Sequence, residues 1–209
     1  MTELSPIRVL SVDDHPLLRE GLAAVINSQP DMELVAQAAT GAQAIELCRT
    51  HRPDVTLMDL RLPDVSGIDA MIAIRAEFPD ARIVMLTTFD GDVEIRRALA
   101  AGARGYVLKN LPPRELAQVI RDVHAGRKRV ALDAAAKLAM HVGDETLTAR
   151  ERDVLRSVAE GNRNREVGAE LRIAEETVKV HLKHIMEKLG ARDRTEAVTI
   201  AVRRGILEL

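Results

Sequence analysis

The sequence predicts a doubly wound α/β domain on a five-stranded parallel sheet, followed by a small all-α domain of four helices. Three observations carry this expectation. Through residue 125, short apolar runs alternate with helix-period segments five times over. The connections between them are short, as parallel strands with helices on both faces require. From Thr148 onward strand-like runs cease and only helical periodicity remains. A chain of 209 residues can bury two separate cores.

Ile7–Val12 is a short apolar run ending in Asp13-Asp14, which reads as a buried strand. Pro16–Gln29 carries Leu17, Leu18, Leu22, Val25 and Ile26 on a helical stripe and is closed by Pro30. Met32–Ala38 is the second strand, and Gly41–His51 the second helix, ending before Pro53. Asp54–Leu60 and Ser66–Phe78 make the third pair, Arg82–Thr87 and Asp92–Ala101 the fourth, Gly105–Leu108 and Pro113–Ala125 the fifth. Gly126-Arg127-Lys128-Arg129 is basic, solvated punctuation, and a weak helix is expected near Asp133–His141 before Gly143-Asp144. Four helices follow at 148–160, 164–171, 175–189 and 193–205. The domains are therefore drawn at 1–125 and 146–209, with a linker over 126–145.

Composition narrows the function. Hydrophobic residues make up 46% of the chain but aromatics only 1%: Tyr106, Phe78 and Phe89. So few rings argue against stacking on single-stranded nucleic acid. The single cysteine, Cys48, lies in an apolar helical pattern and reads as packing in a reducing compartment. No apolar run approaches the ~20 residues that span a bilayer, and the N-terminus lacks a signal-peptide pattern. A cytoplasmic protein without membrane partners is expected. The net charge of −2 is unevenly placed: residues 1–125 hold 13 Lys and Arg against 18 Asp and Glu, whereas 145–209 hold 13 against 12.

The strand ends concentrate the chemistry. Asp13 and Asp14 end the first strand, Asp59 the third and Thr87 the fourth, and Lys109 follows the fifth. In doubly wound sheets ligands bind at the carboxyl ends of the strands. A lone Asp after a strand is commonly a cap or turn residue; five such groups at successive strand ends are not explained that way. Three neighbouring carboxylates repel one another unless a cation joins them. Oxygen ligands with open positions favour Mg²⁺. A carboxylate beside such a metal can attack phosphorus to give an aspartyl-phosphate, whose oxygens a hydroxyl and an ammonium can hold.

Residues 7–125 resemble the receiver domains of two-component signalling, a flavodoxin-like fold. The resemblance rests on Val12-Asp13-Asp14-His15, Met58-Asp59-Leu60-Arg61-Leu62-Pro63, Leu86-Thr87-Thr88 and Gly105-Tyr106-Val107-Leu108-Lys109. It implies that Asp59 is the phosphoacceptor, charged by a cognate histidine kinase. It further implies that Asp14 and Asp59 bind Mg²⁺ directly, Asp13 through water, and the backbone carbonyl of Arg61 completes the site. Thr87 and Tyr106 would be the switch pair, and Lys109 would hold a phosphoryl oxygen. Thr88 is the competing hydroxyl, expected on the other face if Thr87 ends the strand in register. Asn110 stands where many receivers have Pro or Asp; it suits a turn or a left-handed backbone.

A second resemblance covers about 145–207. Leu147-Thr148-Ala149-Arg150-Glu151-Arg152-Asp153-Val154-Leu155, Ala159-Glu160-Gly161, Asn164-Arg165-Glu166-Val167, Thr177-Val178-Lys179-Val180-His181 and Ile185-Met186-Glu187-Lys188-Leu189-Gly190 are similar to LuxR-type helix-turn-helix domains. The two halves in tandem resemble the NarL/FixJ subfamily of response regulators. Thr148 with Glu151 forms a capping box, and Gly161 can close that helix left-handed. Val167, Leu171, Ile173, Val178, Leu182, Ile185 and Leu189 are spaced to share a core. The helix at 175–189 then presents Thr177, Lys179, Val180, Lys183 and His184, and a recognition helix enters the major groove by this end. His181 and His184, without a nearby cysteine, are no metal site.

Two departures stand out. Ala174 replaces the usual Ser or Thr cap of the recognition helix, with Glu175 and Glu176 as partial compensation through the dipole. Arg163 stands where a small residue is common and is either a phosphate contact or solvated.

The reading is a phosphorylation-switched transcription regulator, not an enzyme, that binds double-stranded DNA as a homodimer when phosphorylated. Ala197, Val198, Ile200, Ala201 and Ile206 could pair two subunits or form the back wall of the small domain. A metal-dependent phosphohydrolase would need a general acid and a lid, neither of which is evident, and a nucleotide-binding enzyme would need a glycine motif absent after the first strand. A regulator that works without phosphorylation is the third reading; the complete pocket opposes it.

Overall fold

A computed structural model describes residues 5–88, 92–130 and 147–207. The chain divides into two compact units, the first holding the sheet and the second the C-terminal helices.

In the first unit, strands β1 (Ile7–Val12), β2 (Met32–Ala38), β3 (Val55–Asp59), β4 (Ile83–Thr87) and β5 (Gly105–Leu108) alternate with helices α1 (Pro16–Asn27), α2 (Gly41–His51), α3 (Gly67–Glu77), α4 (Asp92–Ala100) and α5 (Pro113–His124). All strands are parallel, in the order β2-β1-β3-β4-β5, with a further strand, β6 (Arg129–Val130), beside β5. Element ends differ from expectation by a residue or two, where caps take over. Ser66 is the N-cap of α3 and Thr40 that of α2, each accepting from a backbone N–H of the first turn.

The sheet has six strands where five were expected. The sixth, β6 (Arg129–Val130), pairs Arg129 with Gly105 and Val130 with Tyr106. Two residues are too few to show a period, and a basic tripeptide reads as solvated. Asp122 of α5 holds it in place: its carboxylate accepts from Arg127 and Arg129, and from Gln118 Nε2 at 3.0 Å. The two guanidiniums hold that carboxyl at a pKa of about 2, Arg127 contributing most. The helix expected near Asp133–His141 lies outside the described residues.

One face of the sheet buries Val9, Leu57, Val84 and Val107 against Leu22 and Ile26 of α1 and Leu116, Ile120 and Val123 of α5. Each such side chain contributes about 1.5–3 kcal/mol when removed from water. Cys48 is buried, 3.8 Å from Thr56 Oγ1, and burial pushes its thiol pKa up, so it packs as expected.

The second unit consists of α6 (Ala149–Ala159), α7 (Asn164–Leu171), α8 (Glu175–Leu189) and α9 (Arg194–Arg203). Val167, Val178, Leu182, Ile185 and Leu189 are buried together with Val154, Leu155 and Val158, and Leu171 and Ile173 pack partly buried against them. Ala197 and Ala201 are fully buried and Val198, Ile200 and Ile206 pack on the same cluster, so this stripe forms the domain's back wall. The turn between α7 and α8 runs through Arg172 in a left-handed conformation (φ 55°) and brings Ile173 O within 2.8 Å of where a Cβ on Gly168 would lie. Only glycine fits there without a shift.

Candidate functional site

At the carboxyl edge of the sheet, β1 delivers Asp13 and β3 delivers Asp59, both buried. The turn after β5 delivers Lys109, whose Nζ lies 2.6 Å from Asp13 Oδ2 and 2.7 Å from Asp59 Oδ2. Asp14 is partly exposed at the rim, and His15 Nδ1 lies 2.8 Å from its Oδ1 and 3.3 Å from Asp13 Oδ1. The His15 N–H donates to Asp13 Oδ1 at 2.9 Å, and Arg19 Nη1 donates to the Asp13 carbonyl at 2.6 Å.

Electrostatics here is a contest between burial and the ammonium. Burial dominates at Asp59 and raises its carboxyl pKa, although Lys109 pulls the other way. Burial alone would lower the pKa of Lys109; its contacts with Asp13 and Asp59 outweigh it, and the pKa is raised. One ammonium faces two carboxylates, and a third, Asp14, stands beside them at the rim.

Asp13, Asp14, His15 and Asp59 each place one ligand atom within 4.8 Å of the others. Asp13 Oδ2 and Asp14 Oδ1 are buried without a well-directed hydrogen bond, their near contacts being the ion pairs to Lys109 and His15. An oxygen-rich cluster with excess negative charge and under-used acceptors fits a hard divalent cation.

The loop after β3 is tightly held. Arg61 N–H donates to Asp59 Oδ1 at 3.3 Å, Arg61 bridges to Ser66, and Gly67 N–H donates to the Leu60 carbonyl at 2.8 Å. Asp64 caps α2 by accepting from Gly41 and Ala42, at 2.8 and 2.9 Å.

Thr87 ends β4 and is buried, while Thr88 is exposed just beyond it. The ladder pairs Met85 with Tyr106 and Thr87 with Leu108, which sets Thr87 and the fully buried Tyr106 on the same face of the sheet. Lys109 N–H donates to the Thr87 carbonyl at 2.7 Å. Asn110 sits in a turn closed by Leu111 N–H on Leu108 O at 3.1 Å; among the described residues the only non-glycine positive φ values are at Arg52 and Arg172. Sequence reasoning gave His15 no role and missed Gly67, whose need for hydrogen in place of a side chain shows only in three dimensions.

In the second unit the expected capping box is present. Thr148 N–H donates to Glu151 Oε2 at 2.7 Å and Glu151 N–H to Thr148 Oγ1 at 3.2 Å. Lys188 Nζ also reaches Glu151 Oε2, at 2.9 Å, tying α8 to α6. Thr177, Lys179, Val180, Lys183 and His184 are all exposed, and Val180 at 51% is one of few large apolar side chains left open. Ala174 makes no side-chain cap, as its chemistry dictates. Arg163 is exposed and precedes α7, its N–H donating to Glu166 Oε2 at 2.6 Å.

The pattern of known proteins agrees with both units. Residues 9–121 match the family model "Response regulator receiver domain", and residues 145–201 match "Bacterial regulatory proteins, luxR family". The transcriptional regulatory protein YxjL of Bacillus subtilis is 40% identical, the match covering 97% of this chain and 98% of the relative. LiaR of the same organism, also a transcriptional regulatory protein, is 38% identical over 96% of this chain and 99% of its own. Among solved structures, the response regulator ChrA of a heme-sensing two-component system shares 36% identity and a TM-score of 0.59, covering 98% of this chain and all of that one. A buried aspartate pocket at the end of a parallel sheet, joined in one chain to a LuxR-type helical domain, places this protein in the family of LuxR-type response regulators.

Proposed function

We propose that Asp59 accepts a phosphoryl group from a histidine kinase and that this modification controls DNA binding by α8. The observation that carries the reading is Lys109 Nζ set between Asp59 and Asp13 at the carboxyl edge of the sheet. An Asp59 carboxylate oxygen attacks phosphorus, the P–N bond to the kinase imidazole breaks, and the imidazole leaves with the electron pair. Lys109 then exchanges its contact with the Asp59 carboxylate for one with a phosphoryl oxygen, a charge-assisted bond. Asp13, Asp14, Asp59 and the Arg61 carbonyl would hold Mg²⁺, which when bound neutralises charge on the phosphoryl oxygens. Thr87 turns toward the phosphoryl group, and Tyr106 on the same face follows it.

The receiver at 1–125 and the DNA-binding domain at 146–209 are joined through 126–145, of which Arg129 and Val130 are held on the sheet as β6. In the major groove, Lys179 and Lys183 meet guanine acceptors or phosphate, Val180 a thymine methyl, and Thr177 and His184 the flanking backbone. The working unit on DNA is a phosphorylated homodimer on paired half-sites. No helix among the described residues is long and apolar enough to cross a membrane, and a regulator of this kind acts in the cytoplasm.

The test is phosphate uptake from acetyl phosphate with Mg²⁺, followed by DNA binding. The chain incorporates one phosphate and binds DNA more tightly; Asp59→Asn incorporates none. Undiminished uptake by that variant overturns the site assignment, and equal DNA affinity with and without phosphate overturns the coupling.

A further inference from the structure

The buried stripe of α8 is Val178, Leu182, Ile185 and Leu189. At 100° per residue, the line diametrically opposite runs through Glu176, Val180 and Lys183. Glu176 thus belongs to the most outward line of the helix, with its side chain 81% exposed. Its carboxylate does not stand alone: Lys179 Nζ lies 2.7 Å from Glu176 Oε1.

Stability does not account for this pair, because exposed ion pairs of this kind contribute little. Nor is Glu176 needed to offset the helix dipole, since Glu175 occupies the first turn as well. What the pair offers is a donor and an acceptor a hydrogen-bond length apart. A G·C base pair presents the complement in its major groove. Guanine O6 accepts and cytosine N4–H donates, and because these two atoms bond each other they also lie ~2.9 Å apart. Guanine N7 gives the ammonium a second acceptor on the same edge. An A·T pair also sets an amino donor (N6–H) beside an acceptor (O4), but its second acceptor, N7, lies on the far side of that donor. An ammonium on O4 therefore has no second acceptor, and the thymine methyl would crowd a charged head group.

We propose that Glu176 and Lys179 act as one unit that reads a single G·C base pair, Glu176 accepting from cytosine N4–H while Lys179 donates to guanine. Glu176 is then a specificity-determining residue. It adds no general affinity, since its charge repels phosphate. This rests on the reading of α8 as the recognition helix.

The experiment is selection of bound fragments from a random duplex pool by the full phosphorylated chain, run in parallel for the unaltered protein, Glu176→Gln and Glu175→Gln. All three should melt at similar temperatures. The unaltered protein and Glu175→Gln select the same motif, while Glu176→Gln loses about tenfold preference for G·C at one position per half-site and keeps the others. Its affinity for unrelated DNA rises, because a repulsive charge has gone. An unchanged motif with Glu176→Gln overturns the inference while leaving α8 as the reading helix. Failure of every form to enrich any sequence overturns the DNA-binding reading itself.

Discussion

A Cβ on Gly67 would lie 1.9 Å from the carbonyl oxygen of Asp59. The chain leaves β3 at Asp59, loops through Arg61–Ser66, and returns so closely that the first residue of α3 touches the backbone it has just left. The atom in the way is backbone and cannot rotate aside. Gly67→Ala must therefore displace the β3 end or the start of α3, at a cost of roughly 2–3 kcal/mol. Thermal unfolding of the receiver should fall accordingly, and phosphate uptake should fall further than the loss of folded protein explains. Wild-type uptake and melting by the variant would show that the loop relaxes freely.

Much of this site was legible in the sequence, because parallel topology sends every strand end to one edge. Asp13, Asp59 and Lys109 could be assembled from strand endings alone, and they stand within 2.7 Å contacts. The helical core was legible for a similar reason: Val178, Leu182, Ile185 and Leu189 repeat at helical spacing. Gly67 was not, since a close approach between residues eight apart leaves no periodic trace. Neither was β6, which exists because Asp122 reaches across to Arg127 and Arg129. Glu176 was passed over because a glutamate in a first turn already has an ordinary explanation in the helix dipole.

The excess of carboxylate around Lys109 makes the receiver's stability depend on a divalent cation. Asp14 is the ligand to alter, because it is 38% exposed and its ion pair is with His15, not Lys109. Asp14→Asn should melt at or slightly above the unaltered protein in chelator, since one repulsive charge is gone. Saturating Mg²⁺ raises the unaltered protein's stability, by about 2.7 kcal/mol at a hundredfold excess over Kd. The variant should show little of that rise. Equal Mg²⁺-dependent shifts would remove Asp14 from the ligand set.

Asp122 sets an acid limit on the sixth strand. Its carboxyl titrates at about 2 instead of the ordinary 3.8, held down first by Arg127. A depressed carboxyl contributes stability that is complete above its unfolded pKa and is lost as pH falls through the folded one. The contribution should therefore fade between about pH 3.8 and pH 2. Asp122→Asn should flatten that part of a urea-midpoint profile and speed amide exchange at Arg129 and Val130. Identical profiles in this window would mean that the two arginines do not act through the Asp122 charge.

Ala174 offers a gain instead of a loss. Its backbone (φ −66°, ψ 146°) already has the extended conformation of an N-cap, and its carbonyl accepts from Thr177 N–H at 2.9 Å. Only the side-chain acceptor is missing. A serine hydroxyl there can accept from the N–H of Glu176 or Thr177, so Ala174→Ser should stabilise the C-terminal domain by about 1 kcal/mol. For a domain of this size that corresponds to a rise in Tm of roughly 4–8 °C. Glu175 and Glu176 partly satisfy the same end of the helix, so the gain should increase when Glu175 is changed to Gln in the A174S background. A serine that adds nothing in either background would show that the first-turn carboxylates and water already satisfy those N–H groups, and that α8 has no unmet need for a cap.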